Sequence, residues 1–526
     1  MPSSFLGLET TKRALLTQTL AMQTAGHNIA NASTVGYTRQ RVNLSATRPQ
    51  EAVGMQRSTT VGQIGTGVQA DSITRIRENY LDTQYRRENQ GLGYWKIRNA
   101  NLDSIQAILN EPSDDGIRGV VDDFWNSWEV LNRDPTLLSA RVDVIAKATN
   151  MVDTFKQVDE SLTALERDID SSIATKVSAV NTMLANIAQL NDYIRRAESL
   201  GANANDYRDQ RDVLLDQLSS IVNIEYAETP AGDFTLSIAG TQVVANDQAA
   251  TVTADIAANA TSGELAGYVQ AKADIAQIRD ELNALVKTLV GGAVTVTLAN
   301  GYTTSQPLTA NNDVTLDDGT VIPAGTIIPA GSKIVSSVEL TVKGINGLHS
   351  LGYGTSDPTP TGIAFFTTSD GSTDFNMSNI RLNPVIANDT SKIAASGRYE
   401  TTSVGTNITI KGNGDIAHAI TSLRDKVFNY PSNLTNLSSG TLDDYFRAVI
   451  SELGTRSSNS SRNLQNQQDL VDNVEVQRQS VSGVSLDEEM ADVIKFQHAY
   501  NAAARNMTVI DEMLDRVINQ MGIVGR

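Results

Sequence analysis

Apolar residues recur at helical spacing near both ends of this chain. Near the start they stand seven residues apart, at Leu8, Leu15, Met22 and Ile29. Near the end they alternate three and four residues apart, at Met490, Val493, Tyr500, Met507, Leu514, Ile518 and Met521, with polar breaks at Gln497 and Asp511. Such spacing is typical of a coiled-coil stripe, which is narrower than the face that a helix buries in a globular core. We therefore expect two terminal helices that pair along an assembly seam, although two ordinary surface helices would show similar spacing.

Between the ends the pattern changes from helical to extended and back to helical. After a stop at 31–36 and an extended segment to about residue 70, helices are predicted at 71–109, 137–199 and 206–221, with Asp206 as an N-cap. A shorter helix around Phe124, Trp125, Trp128 and Leu131 ends before Pro135. Strands begin near Asn223, a helix is predicted at 264–290, and residues 291–412 contain short β runs. Helices return at 415–427 and 441–478.

This order predicts an α+β multidomain protein. Paired N- and C-terminal coiled-coil arms with an extended segment would comprise residues 1–70 and 484–526. A helical middle layer would comprise 71–222 and 413–483, and a β-rich outer domain 223–412. Within the outer domain, residues 293–336 are predicted to be an insertion.

Charge and composition exclude several classes of function. The formal net charge is −18 over 526 residues, and an acidic surface repels phosphate, so nucleic-acid binding is not expected. There are no cysteines, which removes disulfides, thiolate nucleophiles and Cys-zinc sites. We find no long apolar run and no cleavable signal peptide, so we expect no membrane insertion.

The search for catalytic chemistry yields no catalytic, metal-binding or cofactor-binding residues. The four histidines lie in four separate segments, and no phosphate loop, nucleophile elbow or zinc motif is present. The acidic residues have simpler readings. Asp487, Glu488 and Glu489 open the last helix, where negative charge favours the helix dipole. The alternation of aspartates with Arg208 and Arg211 in 206–212 is typical of a charge-laced helix face.

Several longer stretches resemble a known family. The segment "AGHNIANASTVGYTRQRVNL" (25–44) resembles the N-terminal signature of flagellar rod, hook and hook-associated proteins, and its best-matched residues are Asn28, Ile29, Ala30, Asn31, Gly36 and Tyr37. Most members carry proline where this chain has Val35. The segment "SGVSLDEEMADVIKFQHAYNAAARNMTVIDEMLDRVIN" (482–519) resembles the C-terminal signature. Internal stretches such as "NDYRDQRDVLLDQLS" and "GNGDIAHAITSLRD" narrow the resemblance to hook-associated proteins of the hook–filament junction.

The resemblance implies a structural protein that is not an enzyme. It implies a secreted subunit of the bacterial flagellum, exported unfolded by the flagellar type III route without a cleaved signal peptide. Its expected partners are further copies of itself in a helical layer, the hook protein, a second hook-associated junction protein, and a cytosolic FlgN-like export chaperone that holds the C-terminal arm. No cofactor is expected. Two alternatives stay open at this point: an exported wall hydrolase, and an adhesin that binds through the Thr/Gly-rich outer domain.

Overall fold

The computed structural model describes residues 5–49, 65–111, 113, 116–229, 232–356, 359, 361–403 and 405–520. Helices dominate it, and a π turn (Arg516–Gln520) follows the last one. The α-helices are α1 (Leu6–Ala30), α2 (Asn79–Leu109), α3 (Ile117–Arg133), α4 (Leu138–Ser199), α5 (Asn205–Ile221), α6 (Ala254–Ala258), α7 (Gly263–Gly291), α8 (Gly344–Leu351), α9 (Pro384–Ala387), α10 (Asp415–Thr421), α11 (Leu442–Ser482) and α12 (Leu486–Asp515).

The strands are short and form only small antiparallel sheets. The largest sheet in the described part of the chain has four strands in the order β3-β4-β5-β6, and the others are two-stranded. The strands are β1 (Gln40–Ala46), β2 (Val68–Arg75), β3 (Ile224–Glu228), β4 (Phe234–Ile238), β5 (Thr241–Ala245), β6 (Gln248–Ala249), β7 (Ala293–Leu298), β8 (Leu308–Thr309), β9 (Val314–Thr315), β10 (Val321–Ile322), β11 (Ile327–Ile328), β12 (Val338–Lys343), β13 (Phe366–Thr368), β14 (Ile380–Leu382), β15 (Tyr399–Thr401), β16 (Asn407–Thr409), β17 (Phe428–Asn429) and β18 (Ser439–Gly440).

The chain divides into two compact units. The first unit comprises Met1–Lys96, Ile173–Gly267 and Asn463–Arg526, and the second comprises Ile97–Ser172 and Tyr268–Arg462. The predicted outer-domain residues are divided between them, because β3 to β6 belong to the first unit and β7 to β18 to the second. Both units therefore mix helices with antiparallel strands, as an α+β fold requires.

The first unit has a core in which one sheet face meets two helices. The alternating residues Phe234, Leu236 and Ile238 of β4 are all buried, since successive strand residues point to opposite faces. Against them pack buried residues of α4 and α5, among them Leu184 and Leu218. The helical spacing of α4 and α5 and the period-two spacing of β4 thus meet in a single apolar cluster.

The second unit has a core rich in aromatic rings. The predicted helix at Phe124–Leu131 is confirmed as part of α3, and Phe124, Trp125 and Trp128 are all buried. Trp128 lies 5.3 Å from the ring of Phe365, which in turn lies 4.8 Å from Phe366 in an edge-to-face arrangement. Tilted and edge-to-face pairs at these distances stabilise a core beyond the apolar area that they bury.

A buried histidine lies beside this aromatic core. His349 is 1% exposed, its Nδ1 lies 2.7 Å from the carbonyl oxygen of Ile363, and its Nε2 accepts a hydrogen bond from the backbone N–H of Ala394 at 2.9 Å. An imidazole that accepts at Nε2 and faces a carbonyl with Nδ1 is neutral, with its proton on Nδ1. Burial accordingly lowers the pKa of His349 to about 4.

The predicted insertion is enclosed by one hairpin. β7 and β12 pair in six antiparallel steps, from Ala293 opposite Lys343 to Leu298 opposite Val338. Both strands bury alternate residues, so each covers a core with one face only. Residues between the two strands add β8 to β11 in two-residue pairs, so the excursion leaves and rejoins the second unit at a single point.

Three sequence predictions were wrong in detail. The helix predicted from residue 71 begins at Asn79, because residues 68–75 pair with β1 as β2. Asp206 is not an N-cap: α5 begins at Asn205, and the Asp206 carboxylate accepts a hydrogen bond from Gln40 instead. The helix predicted at 415–427 ends at Thr421 and continues as a 3₁₀ turn, Ser422–Asp425. In the first two cases a distant segment supplies the partner that decides the local structure.

Candidate functional site: the meeting point of the two chain ends

The first helix turns a small and polar face inward. Its buried residues are Thr11, Thr17, Ala21, Thr24, Ala25 and Asn28. The predicted seam residues Leu8, Leu15, Met22 and Ile29 are each half-buried beside that face. The threonine hydroxyls need no outside partner, since those of Thr11 and Thr24 donate to backbone carbonyls one turn earlier, at 2.8 and 3.0 Å. Small side chains let a neighbouring helix approach closely: a Cβ added at Gly7 would lie 3.2 Å from Cδ1 of Ile510 in α12.

The last helix turns inward along a heptad stripe that differs from the predicted one at half of its positions. Of the predicted seam residues, Val493, Met507 and Leu514 lie on this inward stripe and are half-buried. The alternate positions are shifted by one residue, so that the polar breaks assigned to Gln497 and Asp511 vanish. The residues that face inward are Glu489, Phe496, Ala503 and Ile510, seven apart, and Met490, Gln497 and Asp511 are exposed.

Other predicted seam residues face solvent. Met490 is 53% exposed, Tyr500 36% and Ile518 68%. Met521 lies outside the described residues. The predicted stripe therefore contains two kinds of residue. Some pack α12 against α1 within the chain, and others are exposed to solvent.

A single asparagine connects the two ends of the chain. Asn28, which is 1% exposed, donates from Nδ2 to the carbonyl oxygen of Gln40 and to Oε2 of Glu489, both at 2.9 Å. Its Oδ1 accepts from the Gln40 backbone N–H at 3.0 Å and from the Tyr37 hydroxyl at 2.8 Å. Both donors and both acceptor positions of the amide are used, so only asparagine provides this pattern at this length. We call Asn28, Tyr37, Arg39, Gln40 and Glu489 the terminal node.

An arginine completes the terminal node from the side of β1. Nε of Arg39 donates to Oε1 of Glu489 at 2.6 Å, and its Nη1 donates to Glu488 at 2.7 Å. The Glu489 side chain is only 4% exposed, so its charge is balanced by hydrogen bonds to Arg39 and Asn28 and by the N-terminus of α12. The acidic residues at the start of the last helix are therefore stabilised by Arg39 and Asn28 as well as by the helix dipole.

The other signature residues shape the turn that leads from α1 to the node. Asn31 ends α1, and its side chain bonds the carbonyl oxygen of His27 at 3.0 Å. Gly36 has φ of 79°, and an added Cβ would lie 2.0 Å from Cγ2 of Val213 in α5, so any larger residue would displace the turn. Ile29 is half-buried and Ala30 exposed, while Val35 is 87% exposed.

A second polar feature, the arginine–aspartate cluster, adjoins the terminal node. Its members come from β2, the loop after it, α2, α5 and α11, and none of their side chains is more than 15% exposed. They are Arg75, Arg77, Arg86, Arg478, Asp82, Asp209, Asp212 and Asp216. Asp209, Asp212 and Asp216 stand three and four residues apart and so share one face of α5.

The cluster is joined directly to the segment that carries the node. Asp209 accepts from the backbone N–H of Thr38 at 2.9 Å and from Arg75 at 2.7 Å. Burial raises the pKa of Asp212, but Arg77, Arg86 and Arg75 outweigh that effect and hold it well below its usual range. For Asp209 burial prevails, and its pKa is raised. The pKa of the Tyr37 hydroxyl is raised by burial and by the nearby Asp206, Asp209 and Glu489.

The sequence does not indicate this cluster, because the interleaved charges of 206–212 predict only a charge-laced helix face. Arg208 and Arg211, which alternate with the aspartates in sequence, pair with Glu198 and Glu228. The three–four spacing of Asp209, Asp212 and Asp216 was a usable signal for a single charged face. Their arginine partners lie about 125 to 260 positions away in sequence, and no local pattern indicates them.

The arrangement holds segments together and shows no sign of chemistry. Within the described ranges no group of three or more histidines, aspartates or glutamates could hold a metal ion. In that same part of the chain, no helix has the length and apolarity needed to span a bilayer. What the site can do is fix the first helix, the first two strands, α5 and the last helix in one register.

Comparison with known proteins agrees with the signatures. The model for the flagellar hook-associated protein FlgK helical domain matches residues 102–306, and that for the flagellar basal body rod FlgEFG protein C-terminal region matches 471–521. Flagellar hook-associated protein 1 of Bacillus subtilis is 33% identical over 100% of both chains. The protein of that name from Salmonella typhimurium is 24% identical over 95% of this chain and 97% of its own.

A solved structure is also similar. The flagellar hook junction protein FlgK from Burkholderia pseudomallei is 14% identical and matches with a TM-score of 0.48 over 77% of this chain and 100% of that chain. The family assignment rests on the full-length identity to the Bacillus protein and on the two signatures that meet at the terminal node. The chain belongs to the flagellar hook-associated protein 1 family, whose members are structural proteins of the flagellum and not enzymes.

Proposed function

We propose that this protein is a structural subunit of the hook–filament junction and that it polymerises through its terminal helices. The observation that carries the proposal is the distribution of apolar side chains on α12. One face of that helix lies against its own chain at the terminal node and along the stripe from Glu489 to Leu514. Other faces present large apolar side chains to solvent, which is a common property of association surfaces.

Six exposed apolar residues of α12 and of the π turn that follows it form two trios, each with a spacing of four. Leu486, Met490 and Ile494 are 50, 53 and 55% exposed, and Val509, Met513 and Val517 are 46, 61 and 55% exposed. Residues four apart lie on the same side of a helix, so each trio makes a continuous ridge. On α1, Phe5 and Leu16 are also more than 60% exposed. We expect copies of the chain to cover these ridges in a helical layer, where each fully buried side chain contributes about 1.5–3 kcal/mol.

The terminal node supports this role because it joins the two terminal helices, α1 and α12. With α1 and α12 fixed in register by Asn28 and Glu489, a neighbouring copy meets a paired surface instead of two independent helices. In this proposal the terminal helices form the inner, coiled-coil layer. The helix-rich residues 71–222 and 413–483 form the next layer, and 223–412 form the outer domain. The hook protein and a second hook-associated junction protein would bind the two ends of the layer.

We further propose export of the unfolded chain through the flagellar type III route, with an uncleaved N-terminus. The same ridges of α12 that a neighbouring copy would cover in the junction are exposed in a free subunit. A cytosolic chaperone of the FlgN-like kind would cover them before export and so prevent premature association. Mass spectrometry of the secreted protein tests the export route: an intact N-terminus is expected, and a processed one would contradict it.

The test of polymerisation is the double substitution Met490→Asp and Ile494→Asp. Both side chains are exposed in the subunit, so folding should be preserved, and two carboxylates would be unfavourable in an apolar contact between copies. We expect secreted, folded subunit, hooks without filaments, and filament protein shed into the medium. The double substitution Met490→Leu and Ile494→Leu keeps the ridge apolar, so it is the matched control and should leave motility unchanged.

Two observations would decide against the proposal. Normal filament number in the double variant would show that this ridge is not an assembly surface. Immunogold labelling of purified hook–filament complexes with an antibody to the chain should place the label at the boundary between hook and filament. Label distributed along the hook or along the filament would contradict a junction role.

A further inference from the structure

One glutamate of the second unit is fully buried with half of its carboxylate unpaired. Glu281 of α7 has no exposed surface. Its Oε1 accepts from Nε2 of Gln277 at 3.0 Å and from Nη2 of Arg456, on α11, at 3.2 Å. Its Oε2 has no hydrogen-bond partner among the described residues. An ionised carboxylate in such a place lacks the bonds that normally compensate for the loss of water.

The cation beside it is shared with a second carboxylate. The same Nη2 of Arg456 lies 2.6 Å from Oε1 of Glu452, whose side chain is 27% exposed. Nη1 of Arg456 and the hydroxyl of Ser460, one helical turn further on, are likewise buried without a partner. Two carboxylates and one guanidinium carry a net charge of −1 together, and one added proton makes the group neutral. That proton stabilises the group most when it binds to Glu281, because Glu281 is the more deeply buried carboxylate.

Among the described residues, Arg456 is the one cation that forms an ion pair with Glu281. The surrounding titratable and charged groups lie on three helices besides α7. They are Arg456, Glu452 and Tyr445 on α11, Asp103 on α2 beside Ser457, and Asp159 and Glu166 on α4, which share Arg279 of α7. Arg279 is thus already paired twice, and the Tyr445 hydroxyl donates to the backbone carbonyl of Glu281, not to its carboxylate.

We propose that Glu281, Arg456 and Glu452 form a proton-uptake site that tightens the packing of α7 against α11 in mild acid and loosens it at alkaline pH. The site is a conformational device built into the second unit and does not depend on the assembly role of the terminal helices. In mild acid Glu281 is neutral and Arg456 remains paired with Glu452. At higher pH Glu281 is ionised, and its unpaired oxygen is a buried charge that the unfolded chain would expose to water.

The direction of the effect follows from linkage. Burial raises the pKa of Glu281 from 4.5 to about 7, although Arg456 opposes the shift. A carboxyl that binds its proton more tightly in the folded state stabilises that state fully below the unfolded pKa, and this stabilisation is lost as pH rises through the folded pKa. Glu281 thus makes unfolding easier between about pH 5 and pH 8, opposite to the usual behaviour of a salt-bridged carboxylate.

The experiment compares the full-length chain with its Glu281→Gln variant, which keeps the shape of the side chain and cannot ionise. Both carry Trp95→Phe, so that fluorescence reports only Trp125 and Trp128 of the second unit. Denaturant unfolding is measured from pH 5 to pH 8, and the two curves are subtracted so that His349 and all other groups cancel. Relative to the variant, the folded-to-unfolded ratio of the parent should fall by about a hundredfold across this range.

Two further variants locate the effect. Asp170→Asn, an exposed carboxylate of the same unit that pairs with Lys272, should reproduce the parent's pH dependence. Glu452→Gln removes the competing carboxylate and should move the transition to lower pH, because Arg456 then serves Glu281 alone. An infrared difference spectrum of parent minus Glu281→Gln should show a protonated carboxyl band at pH 6 that disappears by pH 8. Parallel stability curves for parent and Glu281→Gln, or no such band, would overturn the proposal.

Discussion

The two units of this protein bury different kinds of side chain at their most ordered contacts. In the first unit, the segments that meet at the terminal node and the arginine–aspartate cluster bury threonine, alanine, asparagine and ion pairs. In the second unit, α3 buries Phe124 and Trp128 against Phe365. An apolar core tolerates variation in register as long as its volume is filled. A network of hydrogen bonds and charges forms only when every partner is in place, so it specifies one arrangement.

The comparison suggests a division of labour within the chain. Association through the chain ends, as proposed above, requires those ends in one defined register, and the terminal node joins them by directional bonds. The aromatic core of the second unit stabilises that unit through buried volume, which specifies its partners less strictly. Substitutions should therefore act differently in the two units, with large losses of stability in one and losses of register in the other.

The largest effect is expected in the aromatic core. Trp128→Ala removes a fully buried ring that contacts Phe124, Phe365 and His349, and should lower the free energy of unfolding of the second unit by about 3–5 kcal/mol. Because Nε1 of Trp128 has no hydrogen-bond partner, Trp128→Phe loses no bond there and should retain most of the stability. Denaturant unfolding followed by circular dichroism measures both. Equal losses for Ala and Phe would show that the ring volume is not what matters.

A smaller loss, with a different signature, is expected at the terminal node. Asn28→Ala leaves Gln40, Tyr37 and Glu489 without the amide that joins them, and should cost about 2 kcal/mol. Hydrogen exchange should show faster exchange at both α1 and α12, since the node is their shared contact. Gln23→Ala, at an exposed position of the same helix, is the control and should leave α12 unchanged. Faster exchange confined to α1 would mean that the node does not couple the chain ends.

The smallest effect is expected at an exposed ion pair of the same helix. Arg13 and Glu9 are one turn apart at 3.3 Å, and their side chains are 40 and 49% exposed. Solvent and salt screen such a pair, so Arg13→Ala should change stability by about 0.3–0.5 kcal/mol, and less in high salt. Thermal unfolding at two salt concentrations provides the measurement. A loss as large as that of Asn28→Ala would remove the distinction between surface charge and the buried polar network.

Local patterns in the sequence predicted where helices form better than they predicted which side of a helix is buried. The three–four spacing near the C-terminus correctly indicated one long helix, and Val493, Met507 and Leu514 do face inward. The other half of the stripe was assigned one residue too late, which placed Gln497 where Phe496 lies. Periodicity sets the spacing along a helix, but the direction in which it faces depends on the partner surface. Here that partner is the small, polar face of α1, which an apolar pattern cannot indicate.

The sequence by itself determined that the chain is helical near both termini, that its strands alternate buried and exposed residues, and that it carries the family signatures. These properties depend on residues close together in the chain. Only the tertiary structure decided that residues 68–75 form a strand with β1, that Asn28 bonds Glu489, and that Asp216 pairs with Arg86 and Arg478. Each of these contacts joins residues tens to hundreds of positions apart. Hydrogen bonds and ion pairs act over a few ångströms. The separation of two residues in sequence does not indicate whether they lie that close together in the folded chain.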